Sequence, residues 1–266
     1  MKLIITGASG LCGQELVRQS LSRKEITSVV AVARRPIVAP DNLPAGADAS
    51  KLRSVVVKDY FATTAEYPED TKNTETVAIL PTQLSSYTKE EIRRVCLESA
   101  VAGIEIMCQA GPAKPFRFLY MSGAGAERNQ SKRPKVMPEY SLLRVSYHSI
   151  HSDLIEIEIA FHLKTYDKTG LTNVQKKILQ GEAETEVLAY AAKHDRVEAA
   201  AARPGMIFGQ DQMPRRIFGA VIGMLTWMWN IDNDALCRIM LGQVINGFEK
   251  DPLSDQDLAR MAKRIV

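Results

Sequence analysis

Short apolar runs alternate with amphipathic stretches through the first half of the chain, and that alternation predicts its elements. Residues 3–6 read as a short buried strand, and residues 14–22 as a helix with Leu16, Val17 and Leu21 on one side. Apolar runs at 29–33, 54–57 and 77–80 predict a second, third and fourth strand. Phe116–Met121 predicts a fifth and 197–203 a sixth, while 89–109 carries the pattern of a long helix. Strands this short and this continuously apolar are covered on both faces. Their alternation with helices predicts an α/β fold, a doubly wound parallel sheet of Rossmann type. The Pro-, Ala- and Gly-rich stretch 36–50 predicts a loop. The longest apolar run, 217–231, is broken by Asn230 and falls short of a bilayer span, so it predicts a buried helix or one under a substrate lid, with an interfacial membrane helix as the alternative, and no transmembrane segment. From about residue 210 onward the expectation is a small C-terminal helical cap on the substrate side, which divides the chain into 1–209 and 210–266.

The turn after the first strand carries the clearest chemistry. Gly7-Ala8-Ser9-Gly10-Leu11-Cys12-Gly13 closes a strand and opens a helix. In that context glycine serves three ends: a tight turn, close approach of backbone N–H groups to a pyrophosphate, and close packing of helix on strand. The helix N-terminus then stabilises the phosphate charge. Gly7, Gly10, Leu11 and Gly13 are therefore dinucleotide-binding candidates. The end of the second strand selects the cofactor. An NAD-binding chain places an acidic residue there for the ribose 2′-hydroxyl, whereas this chain has Arg34-Arg35. A guanidinium pairs bidentately with a 2′-phosphate, so NADP(H) is expected over NAD(H). Asp59, after the third strand, is a candidate acceptor for the adenine amino group. Leu80-Pro81, after the fourth, are placed along the nicotinamide ribose.

Composition removes several alternatives. Of 266 residues, 45% are hydrophobic and 24% charged, ordinary for a globular chain with a substantial core. A net charge of +3 without a Lys/Arg track argues against nucleic acid. Cys12, Cys96, Cys108 and Cys237 show neither CxxC spacing nor a disulfide framework, so a reduced, cytoplasmic location is expected. The N-terminus runs straight into the first strand, and no signal peptide is expected.

The glycine turn, Arg34-Arg35, the run Phe118-Leu119-Tyr120-Met121-Ser122-Gly123-Ala124 and Ala202-Arg203-Pro204-Gly205 together resemble the atypical and extended short-chain dehydrogenase/reductases. The nearest group is the nucleoside-diphosphate-sugar epimerase-like and Tat-interacting-protein-like one. The resemblance covers most of 1–144 and 181–210. It implies an oxidoreductase or epimerase-like activity on a small molecule, with Pro204-Gly205 passing the nicotinamide. It also implies three catalytic positions: a serine at the end of the fifth strand, a tyrosine acting as acid/base, and a lysine four residues after it. Ser122 and Tyr140 match the first two, and Arg144 stands where the lysine is expected. Arginine supplies positive charge but not a compact ammonium. A second reading therefore stands beside the enzyme: a non-catalytic NADP(H)-sensing regulator with a protein partner.

In the resembled family the lysine is commonly followed by Gly-Glu. Here Gly181-Glu182 comes only after 36 residues, 145–180. That segment holds three of the four histidines and one alanine, Ala160, whereas 181–202 holds eight alanines. Val145-Ser146 and Gln180 are encodable as GTAAGT and CAG, and Leu171-Thr172-Asn173 as a CTAAC-like sequence. A retained intron is one reading of the segment and a genuine insertion the other. Within it Ile155, Ile157, Ile159 and Phe161 alternate with Glu156, Glu158, Ala160 and His162, a strand-like period. Its remainder reads as solvated loop. His148, His151, Glu156 and Glu158 have a generic spacing, and no metal site is expected.

Overall fold

The computed structural model describes residues 1–57, 75–78, 93–131, 144–146, 158–160, 173–209 and 229–264. Six parallel strands form the main sheet: β1 (Lys2–Thr6), β2 (Ser28–Ala33), β3 (Leu52–Val56), β4 (Glu75–Ala78), β5 (Phe116–Met121) and β8 (Val197–Ala202). Their order is β3-β2-β1-β4-β5-β8. The chain thus winds outward from β1 in one direction, then returns and winds outward in the other. In such sheets ligands enter the crevice beyond the strand ends where the order reverses, here between β1 and β4.

Side chains alternate across each strand, and both faces are filled. Leu3 and Ile5 of β1 pack with Leu16 and Val17 of helix α1 (Leu11–Ser20). They share that core with Leu236, Met240 and Val244 of α4 (Asn233–Asn246) and Leu258 of α5 (Asp255–Ala262). Ile4, on the opposite face, joins Val30, Val32, Phe118 and Tyr120. This second core is closed by Ile104 and Met107 of α2 (Ser99–Gln109) and by Ala183, Val187 and Ala191 of α3 (Asn173–Ala192). The i, i+4, i+8 spacing of those three residues puts one stripe of α3 on the sheet. The fold is α/β and doubly wound, as the alternation predicts.

Several boundaries differ from expectation for local reasons. Helix α1 starts at Leu11 rather than 14, because Gly10 caps it and the Gly10 carbonyl already accepts from Gln14 N at 2.9 Å. A π-helical turn, Arg94–Glu98, leads into α2. The segment 145–180 is not all loop. Arg144–Ser146 (β6) pairs antiparallel with Glu158–Ala160 (β7), in keeping with the alternation there. Residues from Asn173 to Gln180 form the first eight residues of α3, continuous with Gly181. This corrects the loop expectation. Once a packed helix exists, adding residues such as Gln175, Lys176, Lys177 and Leu179 is favourable at each step, because the costly nucleation is already done. Strands β9 (Ile207–Phe208) and β10 (Ile231–Asp232) form a short parallel pair. Of the expected C-terminal cap, α4 and α5 lie on the α1 face of the sheet, while 210–228 lies outside the described residues. No helix among the described residues is long and apolar enough to cross a membrane.

Candidate functional site

The glycine turn sits at the C-terminal end of β1, and its three glycines do different work. Gly7 has φ 67°, a left-handed conformation that admits glycine readily, and its carbonyl accepts from Gly10 N at 3.0 Å. Gly13 packs the helix onto the turn: a β-carbon there would run into the Gly7 carbonyl and come within 2.7 Å of the Ala8 Cα. Gly10 is different. Its φ of −81° and ψ of 171° suit any residue, and a β-carbon would meet only the Gly7 carbonyl, at an ordinary 3.4 Å. Neither the turn nor its packing requires glycine at position 10. The exposed space in front of it does suit close approach of a ligand to the free N–H groups that open α1, whose first turn carries no acidic residue. Leu11, 52% exposed, borders that space.

Ala8 N donates to Val32 O at 3.2 Å, which ties the turn to the end of β2. Arg34 and Arg35 follow directly and are exposed. Among the described residues neither forms an ion pair. Two guanidiniums without an ion-pair partner among the described residues, beside a helix N-terminus, make a strongly anion-attracting edge. Asp59, Leu80, Pro81 and Tyr140 lie outside the described residues, as do His148, His151 and Glu156.

At the ends of β5 and β8 the backbones are stitched together, Ser122 N to Ala202 O and Ala124 N to Pro204 O, both at 2.8 Å. Ser122 is 2% exposed, and among the described residues its hydroxyl has no hydrogen-bond partner. A buried hydroxyl left unsatisfied is costly and marks a place where a ligand group or water supplies the missing bond. Pro204 is buried and belongs to this stitch. Gly205 is required by packing, since a β-carbon would collide with the Trp229 carbonyl. The same residues that suggest nicotinamide contacts in sequence thus have a structural duty as well.

Helix α3 is locked against these loops. A β-carbon on Gly181 would strike the Glu127 carbonyl and lie 2.8 Å from Arg128 N, so the helix touches that backbone directly. Three residues on, Glu184 has no exposed side-chain surface. Its carboxylate accepts from Arg203 at 2.6 Å and from Arg128 at 2.7 Å. Arg128 also grips Asp251, at 2.7 and 2.9 Å, and Asp251 accepts from Ala201 N at 2.9 Å. This buried network fixes the rotation of α3 relative to β8.

The locked register exposes a residue that the sequence reading missed. Immediately before Gly181, Gln180 places its amide over Gly123, where a β-carbon would be 3.3 Å from Oε1. Gln180, and not Arg144, therefore approaches the end of β5 next to Ser122. Arg144 lies in β6, opposite Ala160. The signal was present in the Gly-Glu pair that follows Gln180, but composition assigned Gln180 to the foreign segment.

Behind the turn, α4 supports α1. Asn233 Nδ2 donates to the Leu11 carbonyl at 3.1 Å, and the Cys237 thiol donates toward the Cys12 carbonyl at 3.5 Å. Hydrogen bonding from Cys237 holds the Cys12 thiol below its usual pKa, while burial pushes Cys237 well above it.

No protein-family model matches the chain, and comparison with curated proteins finds no match. Solved structures do match. Vestitone reductase from alfalfa superimposes with a TM-score of 0.58 at 15% identity, over 94% of this chain and 75% of that one. Gre2 from Candida albicans, in complex with NADPH, gives 0.55 at 14% identity, over 92% and 75%. A UDP-N-acetylglucosamine 4-epimerase from Methanobrevibacter ruminantium gives 0.54 at 10% identity, over 94% and 74%. At these identities the likeness concerns architecture: the chain shares the Rossmann-type fold of these two reductases and the epimerase.

Proposed function

We propose that the chain is an NADP(H)-binding protein of the atypical short-chain dehydrogenase/reductase kind, acting in the cytoplasm on a small carbonyl or alcohol substrate, with no nucleic-acid partner. The observation that carries this reading is the open face of Gly10 at the α1 N-terminus, flanked by the exposed Arg34 and Arg35. The N–H groups after Gly10 hold the pyrophosphate, Leu11 covers it, and the two arginines take the 2′-phosphate. Asp59 accepts from adenine, and Leu80, Pro81, Pro204 and Gly205 border the nicotinamide half. When bound, the nicotinamide gives or takes a hydride. Ser122 offers its unpartnered hydroxyl to the substrate oxygen, and Tyr140 exchanges the proton.

Two forms of the chain follow from reading 145–180 as a retained intron. Removing the segment places Arg144 directly before Gly181, in the helical position Gln180 holds in the full chain. Tyr140 then lies one turn earlier on the same face. The short form has a cation beside the phenol, which favours the phenolate and so proton transfer. The full chain has a neutral amide there. That specific observation favours, for the full chain, a second reading as an NADP(H)-binding regulator that contacts a protein partner. The experiment compares both forms: NADPH and NADH titrations by fluorescence, and NADPH consumption against aldehydes, ketones and quinones. The expected result is NADPH binding by both forms with turnover confined to the shorter one. Absence of NADPH binding in both overturns the cofactor assignment, and faster turnover by the full chain overturns the intron reading.

A further inference from the structure

We propose that Gln180 and Ser122 form a charge-free seat for a carbonyl oxygen, and that Gln180 thereby selects uncharged aldehydes and ketones over 2-oxo acids in the full chain. The inference rests on the reading of Ser122 as the hydroxyl that meets the substrate, and it names the substrate class that this reading leaves open. Gln180 stands on α3 immediately before Gly181, and Ser122 follows directly on β5. Between them Gly123 has no side chain, and the Gln180 amide points into the space a β-carbon would take. From that β-carbon, Oε1 would lie at 3.3 Å and Nε2 at 3.4 Å, with Cδ further off at 3.8 Å. Both polar atoms are nearer than the carbon that bears them, so the amide is aimed end-on at the backbone beside Ser122.

The second observation is Ser122 itself. It is nearly fully buried, and among the described residues its hydroxyl has no hydrogen-bond partner. Counting on from Phe118 and Tyr120, the alternation along β5 turns it to the sheet face that α3 covers. A buried donor without a partner and a fork of donor and acceptor thus stand side by side at the end of one strand.

Hydrogen-bond capacity and charge then decide what fits. A carbonyl oxygen accepts twice, and the Ser122 hydroxyl and Gln180 Nε2 donate once each, so an uncharged aldehyde or ketone is satisfied. A 2-oxo acid brings a full negative charge to the same place. Neither seat residue carries a compensating cation, and Gln180 Oε1 is itself an acceptor. The charges that follow on α3 are engaged elsewhere: Glu182 with Arg93, at 3.3 Å, and Glu184 with Arg128 and Arg203. A carboxylate removed from water without a partner is far costlier than a neutral group. Arginine at position 180 reverses the preference, because a guanidinium pairs bidentately with a carboxylate. The anchors of α3 lie downstream of 180, so that substitution changes the group without moving the helix.

The test uses the full chain loaded with NADPH and two probes, acetophenone and phenylglyoxylate, which carries a carboxylate in place of the methyl group. Ligand-detected NMR gives both dissociation constants. Acetophenone is expected to bind more tightly by about tenfold or more, the scale of one charge left without its hydrogen bond; if the probes are consumed, the ratio of rates replaces the ratio of affinities. Gln180→Arg is expected to invert the order. Gly123→Ala, whose methyl group takes the place of the amide end, is expected to weaken acetophenone binding several-fold with an unchanged thermal midpoint. The proposal is overturned if acetophenone does not bind, if phenylglyoxylate binds as tightly, or if a folded Gln180→Arg protein keeps the parent's order. Should Gln180→Arg fail to fold, the parent's preference and Gly123→Ala decide. NADPH is titrated first, without a probe, and absence of binding there defeats the cofactor reading alone. The probes are then titrated into the cofactor-free chain, where the same order and the same inversion decide the seat.

Discussion

Substitution of Gly10 by valine tests the phosphate seat, because the turn separates what the fold needs from what a ligand needs. The backbone at Gly10 is extended, and a β-carbon there meets only one atom, at 3.4 Å. Valine is a poorer helix cap than glycine, which costs no more than about 1 kcal/mol. The bound pyrophosphate, by contrast, needs that space to reach the N–H groups that open α1. Losing two charge-assisted hydrogen bonds at about 1.5–3 kcal/mol each raises the NADPH dissociation constant by at least roughly 100-fold. Gly13→Ala is the counterpart. Its β-carbon would lie 2.7 Å from the Ala8 Cα and against the Gly7 carbonyl, both backbone atoms that cannot swing aside. It is expected to destabilise the protein by about 3 kcal/mol or more. The assay is a thermal midpoint without ligand together with an NADPH titration for each variant. A folded Gly10→Val protein that binds NADPH like the parent would refute the reasoning, since the motif would then be only a turn. A Gly13→Ala protein as stable as the parent would show that the helix does not rest on the turn as described.

Other expectations follow from individual contacts. Changing Arg34 and Arg35 together to alanine should abolish a preference for NADPH over NADH of about 1–3 kcal/mol; parallel titrations with the two cofactors check it. Glu184→Ala removes a buried carboxylate and strands two guanidiniums, a loss of about 3–5 kcal/mol that should lower the thermal midpoint by roughly 6–20 °C. An unshifted melting curve would mean that the network carries no net stabilisation. Asp257 closes the capping box of α5 with Ser254; burial alone would raise its pKa, but Lys250 and Ser254 outweigh that and bring it to about 2. Because the folded value is depressed, this contribution is complete above about pH 4 and is lost as pH falls toward 2. Asp257→Asn should flatten that part of an acid-unfolding profile.

The legible parts of the fold were those where a residue's neighbours in sequence decide its state. β1, β2 and β5 announce themselves because both their faces are buried, which leaves no polar position in Leu3-Ile4-Ile5 or Val29-Val30-Ala31-Val32. The turn announces itself because Gly7 and Gly13 are forced by local geometry. Less was legible where distant packing decides. Nothing in Asn233 or Cys237 shows that α4 lies behind the glycine turn, because that contact depends on the path of more than two hundred intervening residues. Gly205 reads equally well as a ligand contact or as room for the Trp229 carbonyl, and only the structure shows the carbonyl. The segment 145–180 misled for another reason. Composition and codons concern the origin of a stretch, whereas a helix accepts any sequence of adequate propensity that can join a packed end.

That last point bears on how such a site tolerates change. Helix α3 is held from its downstream side: Gly181 against Glu127, Glu184 between Arg128 and Arg203, and Ala183, Val187 and Ala191 on the sheet. None of these anchors lies before residue 181. Whatever residue precedes Gly181 is therefore carried to the same place, over Gly123 and next to Ser122. The length and origin of the upstream chain hardly matter to the anchored half, and closing a longer loop adds little cost because that cost grows only with the logarithm of its length. On the retained-intron reading the chemistry would change, since the position would pass from guanidinium to amide with the loss of one full charge beside the buried Ser122 hydroxyl. On the proposed function the glycine turn, on the far side of β4 and anchored through α1 and α4, keeps NADP(H) binding in both forms while the position before Gly181 governs proton transfer, so binding and turnover are expected to separate.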